Sequence, residues 1–275
     1  MKLEKINLRK EPINGFMPTL TAYIIDDAAR AEKARKRPCV VVFPGGGYGF
    51  CSEREAEPIA LQFLAAGIPS VVVDYCVAPA NHYPSALEDA SEAIKLVRKH
   101  ADEWGIDRDK IAVIGFSAGG HLAASISTLW DEEPIKTPDG ANKPNAAILC
   151  YPVISSDDTI WHKGSFDNLC DGDEALVKAM SLENRVSEKT PPCFIWHTFT
   201  DGAVPVENSL VFAHALRKAG VSCEMHIFPE GPHGLSLANS DTASREQEVN
   251  PHVAKWVELA LDWLGDLFEK RKFGN

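Results

Sequence analysis

No apolar run in the 275-residue chain approaches the roughly 20 residues that a membrane-spanning helix needs. Met1 to Pro12 alternates charged with apolar residues, so no signal peptide is expected there. Positive charge is also scarce: 28 Lys and Arg stand against 39 Asp and Glu, a net charge of −11. That balance argues against nucleic acid and anionic membrane surfaces as partners. The one basic run, Lys33 to Arg37, is broken by Ala34 and precedes a strand signal, so it reads as a solvated loop. There is no H-E-x-x-H and no paired-ligand spacing for zinc, and no metal or other cofactor is expected. There is no C-x-x-C either. Five of the seven cysteines (Cys39, Cys76, Cys150, Cys193 and Cys223) fall in apolar, strand-like runs. The odd count and this placement predict reduced, buried thiols in a cytoplasmic protein. No internal repeat, low-complexity stretch or linker divides the chain, so a single domain over 1–275 is expected.

What is present is an ordinary globular composition, 45% hydrophobic and 24% charged, long enough for one large core. Continuous apolar strands are predicted at Cys39–Phe43, Ser70–Asp74, Ile111–Gly115, Ala146–Tyr151, Cys193–His197 and Ser222–Phe228. Helical patterns lie between them. Two are marked by capping-box spacings, Ser52 with Glu55 and Ser85 with Glu88. Others cover Ala118–Trp130 and Val206–Ala219, and a last apolar stripe runs from Val253 to Phe268. This alternation predicts an α/β fold with a parallel sheet covered on both faces. The segment Ile6–Ile25 is expected to add antiparallel strands at one edge. Ligand sites in such sheets lie beyond the carboxyl ends of the strands, where Gly45–Gly47, Ser117 and Asp201 fall.

Gly115-Phe-Ser-Ala-Gly119 fits G-x-S-x-G between a buried strand and a helix, the context in which the motif carries chemistry. A sharp turn there projects the Ser117 hydroxyl, and small neighbours let the turn pack. The competing reading is a helix N-cap, a common role for serine. Pro44-Gly-Gly-Gly-Tyr48 follows the first strong strand. Its Gly46 and Gly47 N–H groups, with Ala118 N–H, would form an oxyanion hole. A dinucleotide loop fails on spacing, because Phe50 or Ser52 takes the last glycine position, and a phosphate-binding G-K-[ST] is missing.

A serine nucleophile needs a base, and the base needs a carboxylate to hold its tautomer. His233, in Gly231-Pro-His-Gly234 after the last strand signal, is the expected base. Asp201, after Cys193–His197, is the expected acid. His197 and His226 lie in strands and read as structural. His121 reads as elbow packing and His252 as a cap or surface residue. Asp74 comes too early in the chain for the acid, and Asp171, Asp173 and Glu174 read as a solvated face.

Together these blocks resemble a known family. Pro44-Gly-Gly-Gly-Tyr-Gly-Phe50, Tyr83-Pro-Ser-Ala-Leu-Glu-Asp89, Trp104-Gly-Ile-Asp-Arg-Asp-Lys-Ile111, Gly115-Phe-Ser-Ala-Gly-Gly-His-Leu-Ala-Ala124, Val204-Pro-Val-Glu-Asn-Ser209 and Gly231-Pro-His-Gly234 are similar to the α/β-hydrolase esterases related to hormone-sensitive lipase and acetyl esterase. The resemblance is stronger to the acetylxylan-esterase-like, "xylanase B-like" group. It implies an α/β-hydrolase fold with an eight-stranded, mostly parallel sheet, a triad of Ser117, Asp201 and His233, and hydrolysis of short acyl esters such as acetyl groups on xylo-oligosaccharides. Pro44 departs from the HGGG pattern of the lipases. Glycosidic cleavage would need a carboxylate pair, whereas these motifs assemble a serine triad.

Ser155–Pro192, long and polar, is expected to form a cap or lid over the site. Tyr48, Phe50 and Trp161 are candidate substrate contacts, with Phe166 and Leu169 nearby; local packing is the competing reading for each. Two alternatives to an esterase stand beside it: an amidase such as an aryl formamidase on the same triad, and a non-catalytic ligand-binding homologue. The partner expected is a small-molecule or oligosaccharide ester, and the pattern neither requires nor excludes a homo-oligomer.

Overall fold

The computed structural model describes residues 1–26 and 36–269, so most of the basic run at Lys33 lies outside the described residues. Eight strands form one sheet: β1 Lys2–Asn7, β2 Thr19–Ile24, β3 Arg37–Phe43, β4 Ser70–Asp74, β5 Ile106–Phe116, β6 Ala146–Cys150, β7 Cys193–Thr198 and β8 Cys223–Phe228, in the order β1-β2-β4-β3-β5-β6-β7-β8. β1 pairs antiparallel with β2, and β2 antiparallel with β4. Every other pairing is parallel. The antiparallel edge expected from Ile6–Ile25 is there, and it begins earlier, at Lys2.

The central strands are apolar at consecutive positions because both faces are covered. Val41, Val113, Leu149 and Ile195 point into one core layer. Their neighbours Val40, Val42, Ile114, Ile148 and Phe194 point into the other, as strand pleating requires. The helices α2 (Ser85–His100), α3 (Ala118–Leu129) and α6 (Glu207–Lys218) fill the first layer with Leu87, Ile94, Leu122, Ile126, Phe212 and Leu216. The helices α1 (Glu57–Ala65) and α7 (Trp256–Glu269) fill the second with Ile59, Phe63, Trp256 and Leu264. Each such side chain, fully buried, contributes about 1.5–3 kcal/mol. No helix among the described residues is long and apolar enough to cross a membrane. All seven cysteines are free.

Neither capping box forms. Ser52 precedes a 3-10 turn, Glu53–Glu55, and makes no side-chain cap; α1 starts two residues later at Glu57. Glu55 turns inward instead. Ser85 is already inside the first turn of α2, after Pro84. Glu88 pairs with Arg9 across the sheet edge. In both places a long-range partner displaces the local hydrogen bond.

The insertion 155–192 is more regular than its polarity suggested. It contains α4 (Lys163–Cys170), α5 (Glu174–Ala179) and a 3-10 turn, Leu182–Asn184. Phe166, Leu169 and Cys170 recur at helical spacing and are buried. Asp173 caps α5 by accepting from Ala175 and Leu176 N–H.

Candidate active site

Ser117 stands where β5 ends and α3 begins, at φ 53° and ψ −117°. A non-glycine residue here carries strain, and the surroundings over-determine it. Ser117 N–H donates to the Cys150 carbonyl (3.0 Å), and its own carbonyl accepts from His121 and Val153 N–H (3.0 and 3.1 Å). The turn tolerates no side chain at Gly119: a Cβ there would lie 2.2 Å from the Phe43 carbonyl oxygen and 2.3 Å from that of Pro44. The Ser117 side chain does not cap the helix. It meets His233 Nε2 at 2.7 Å.

His233 lies in the loop after β8, and its Nδ1 meets Asp201 Oδ2 at 2.7 Å. A carboxylate only accepts, so the proton sits on Nδ1, and Nε2 accepts from the Ser117 hydroxyl. Asp201 follows β7, with its side chain wholly buried. Its Oδ1 accepts from Ala203 and Val204 N–H (2.9 and 3.0 Å). Burial pushes this carboxyl up. The hydrogen bonds from His197 and His233, with the N–H of Val204, outweigh burial and hold it well below the ordinary carboxylate range. His197 is a buried residue of β7, and its strand position by itself points only to packing. Its Nε2–H is shared between Asp201 Oδ2 (3.2 Å) and the Val204 carbonyl (2.9 Å), while Nδ1 accepts from the Ser209 hydroxyl (2.8 Å). It thus sets the carboxylate from behind.

The glycine loop folds back over the elbow. Gly46 takes φ 128°, and a Cβ there would fall 2.0 Å from the Phe50 carbonyl oxygen, so glycine is required. Gly46, Gly47 and Ala118 N–H have no intramolecular acceptor among the described residues. Gly45 N–H instead donates to Glu55 Oε2 (2.9 Å), a buried carboxylate whose spacing from Ser52 resembles a helix cap. Asn168 of α4 donates to the Gly47 carbonyl (2.8 Å), so the insertion braces the same loop.

A cleft of about 350 Å³ joins Gly46, Gly47, Phe50, Ser117, His162 and His233. Phe50, 61% exposed, stands at its rim. Two expected substrate contacts are not in it. Tyr48 is 3% exposed and donates to His121 Nδ1 (2.8 Å), whose Nε2–H is held by the Met180 carbonyl (2.9 Å). Burial lowers the His121 pKa to about 4, so the ring stays a neutral part of the elbow packing. Trp161 tilts against Phe166, and its neighbour His162 reaches the cleft instead. His162 Nδ1 accepts from the Ser165 N–H and hydroxyl, which puts its proton on Nε2. Burial and the nearby His233 push this imidazole below its ordinary value. Phe166 and Leu169 are core residues. His226 pairs with Glu224, and His252 packs its ring against Phe228, both away from Ser117. Asp74 is exposed at the end of β4. Asp171 and Glu174 are exposed, as expected of a solvated face.

A family described as "alpha/beta hydrolase fold" matches residues 40–237, a stretch that contains the glycine loop, Ser117, Asp201 and His233. The chain belongs to that family. This α/β hydrolase is 39% identical over 82% of its length to "Endo-1,4-beta-xylanase B" of Butyrivibrio fibrisolvens. It is 36% identical over 72% of its length to "Acetylxylan esterase" of Xylanibacter ruminicola. The chain spans only 36% and 41% of those two relatives' lengths. Among solved structures, the acetyl ester-xyloside bifunctional hydrolase of Caldicellulosiruptor lactoaceticus is similar at a TM-score of 0.83 and 41% identity, covering 99% of this chain and 97% of that one. A carboxylesterase of Lactobacillus plantarum gives a TM-score of 0.86 at 30% identity, covering 100% of both chains.

Proposed function

We propose that this α/β hydrolase is a serine esterase that cleaves short acyl esters, with acetylated sugars such as xylo-oligosaccharides as the preferred substrates. The observation that carries the reading is the unbroken relay from Ser117 Oγ to His233 to Asp201, 2.7 Å at each step. His233 Nε2 takes the hydroxyl proton as Ser117 Oγ attacks the acyl carbon. The carbonyl electrons move onto oxygen, and Gly46, Gly47 and Ala118 N–H donate to that oxyanion. The imidazolium, steadied by ionised Asp201, gives its proton to the departing alkoxide. Water then repeats the sequence on the acyl-enzyme and frees the acid.

The sugar preference is supported by the names of the acetylxylan esterase and acetyl ester-xyloside relatives and by the cleft wall. Phe50 offers an exposed ring face, and His162 Nε2–H offers a donor to a hydroxyl or ring oxygen. The insertion 155–192 acts as a small cap that supplies His162, within a single domain. Glycoside cleavage has less support. Glu55, the carboxylate lining the cleft, has both oxygens engaged by Gly45 N–H and the Tyr151 hydroxyl, and no second carboxylate among the described residues lines it.

Ser117→Ala tests the reading. Turnover of p-nitrophenyl acetate and of acetylated xylo-oligosaccharides should vanish while the unfolding transition is kept; wild-type rates in that variant overturn the mechanism.

A further inference from the structure

Glu55 has no part in the relay, yet it is a buried carboxylate at the centre of the site. Such a group is costly to bury unless both oxygens find donors. They do, one from the preceding glycine loop and one from just past the end of β6. Oε2 accepts from Gly45 N–H at 2.9 Å, and Oε1 accepts from the Tyr151 hydroxyl at 2.6 Å. The direction of the second bond is settled by Ser236, whose N–H donates to the same phenolic oxygen at 2.8 Å. The single hydroxyl proton therefore points to Glu55. Tyr151 also lays its ring against His233, with centroids 5.1 Å apart and planes at 71°. One carboxylate and one phenol thus tie the oxyanion loop to the histidine loop.

The turn that carries Glu55 makes two further ties to the same loop. Arg54 Nη2 donates to the Gly234 carbonyl (3.0 Å) and to Glu248 (2.8 Å), and the Ser236 hydroxyl donates to the Arg54 carbonyl (2.6 Å). Both groups that face Glu55 are donors, so the position calls for an acceptor-only side chain. A glutamine would set its NH₂ against one of them. Packing alone would not demand a carboxylate there.

We infer that the turn Glu53–Glu55 is the hub that holds the oxyanion loop and the histidine loop in one frame, with Glu55 and Tyr151 as positioning residues for ester hydrolysis. The inference rests on the esterase reading above. In the tetrahedral state negative charge gathers at the Gly46, Gly47 and Ala118 N–H groups while positive charge gathers on His233. Their separation is set by Gly45–Glu55–Tyr151–Ser236. Loosening this chain misplaces the reacting groups and spares ground-state binding.

Tyr151→Phe, Glu55→Gln and the double variant are measured for kcat and KM on p-nitrophenyl acetate. The rate of Ser117 labelling by a fluorophosphonate is measured too, with all rates per titrated site and Tm recorded. Ile94→Ala, a core change in α2, serves as a variant that loses stability away from the site. In both single variants kcat and the labelling rate are expected to fall together by about tenfold to a hundredfold, with KM within about twofold. The double variant is expected to fall no further than Glu55→Gln, because the two residues act through one chain of bonds. Wild-type rates per site in both single variants overturn the inference. So does an equal fall in Ile94→Ala at the same Tm. Labelling needs no ester, so a wild-type protein that labels but hydrolyses none refutes the esterase reading and leaves this comparison intact.

Discussion

Replacing Asp201 by Asn removes one charge and changes one atom. The wild-type carboxylate accepts four hydrogen bonds: His233 and His197 on Oδ2, Ala203 and Val204 N–H on Oδ1. An Asn keeps one oxygen. The two backbone N–H groups can only donate, so they retain it, and the NH₂ replaces Oδ2. That NH₂ faces two imidazoles. The His197 Nε2–H already has the Val204 carbonyl as an alternative acceptor and can keep its tautomer. His233 Nδ1 has no other acceptor among the described residues, so the ring moves its proton to Nε2 and accepts at Nδ1. Nε2–H then faces Ser117 Oγ, and the hydroxyl has no base.

The expected loss is about 10⁴-fold in kcat, or about 5.4 kcal/mol of transition-state stabilisation at 1.36 kcal/mol per tenfold. Initial rates on p-nitrophenyl acetate, normalised to titrated sites, measure it. Asp201→Asn within tenfold of wild type would refute the tautomer argument. The same residue makes a second, independent statement. Its folded pKa lies below the unfolded value, so its stabilisation is complete above the ordinary carboxylate pKa of about 3.9 and drains away as pH falls beneath it. The Tm gap between wild type and Asp201→Asn should therefore be widest near neutrality and narrow below about pH 4. A gap that widens on acidification would contradict the sign.

Tyr48→Phe should cost about 1 kcal/mol by removing the hydrogen bond to His121 and leave KM unchanged; a raised KM would return Tyr48 to the substrate site. His162→Ala should raise KM for acetylated xylo-oligosaccharides more than for p-nitrophenyl acetate, and equal effects on both would remove His162 from sugar recognition. Gly119→Ala sets a Cβ against two backbone carbonyls that cannot yield cheaply. It should destabilise by at least about 3 kcal/mol, read from the denaturant midpoint, and a midpoint equal to wild type would show that the elbow has room.

The parts of the site legible in the sequence share one property: their signal is local or ordinal. The elbow is a strand, a turn and a helix within a dozen residues, and its small side chains stand next to Ser117 in sequence. His233 and Asp201 are far from Ser117, but the order of strands says which loops open at the same sheet end. The parallel sheet was readable because strands covered on both faces must be apolar at every position. Tyr48 lies outside the cleft because a glycine loop brings the backbone near a ligand without fixing which way its neighbours turn, and Trp161 because a polar insertion does not show which of its rings packs inward.

From the sequence alone, then, came the sheet, the elbow and the order of Ser117, Asp201 and His233 at one sheet end, since each follows from periodicity or from rank along the chain. Only the tertiary structure decided that Glu55 leaves its apparent cap for the glycine loop, that His197 stands behind Asp201, and that His162 rather than Trp161 enters the cleft. The second partner of Glu55, the Tyr151 hydroxyl, lies 96 positions away. Hydrogen-bond donors and acceptors buried together must pair with whatever the fold brings within 3 Å, and no local pattern encodes that partner.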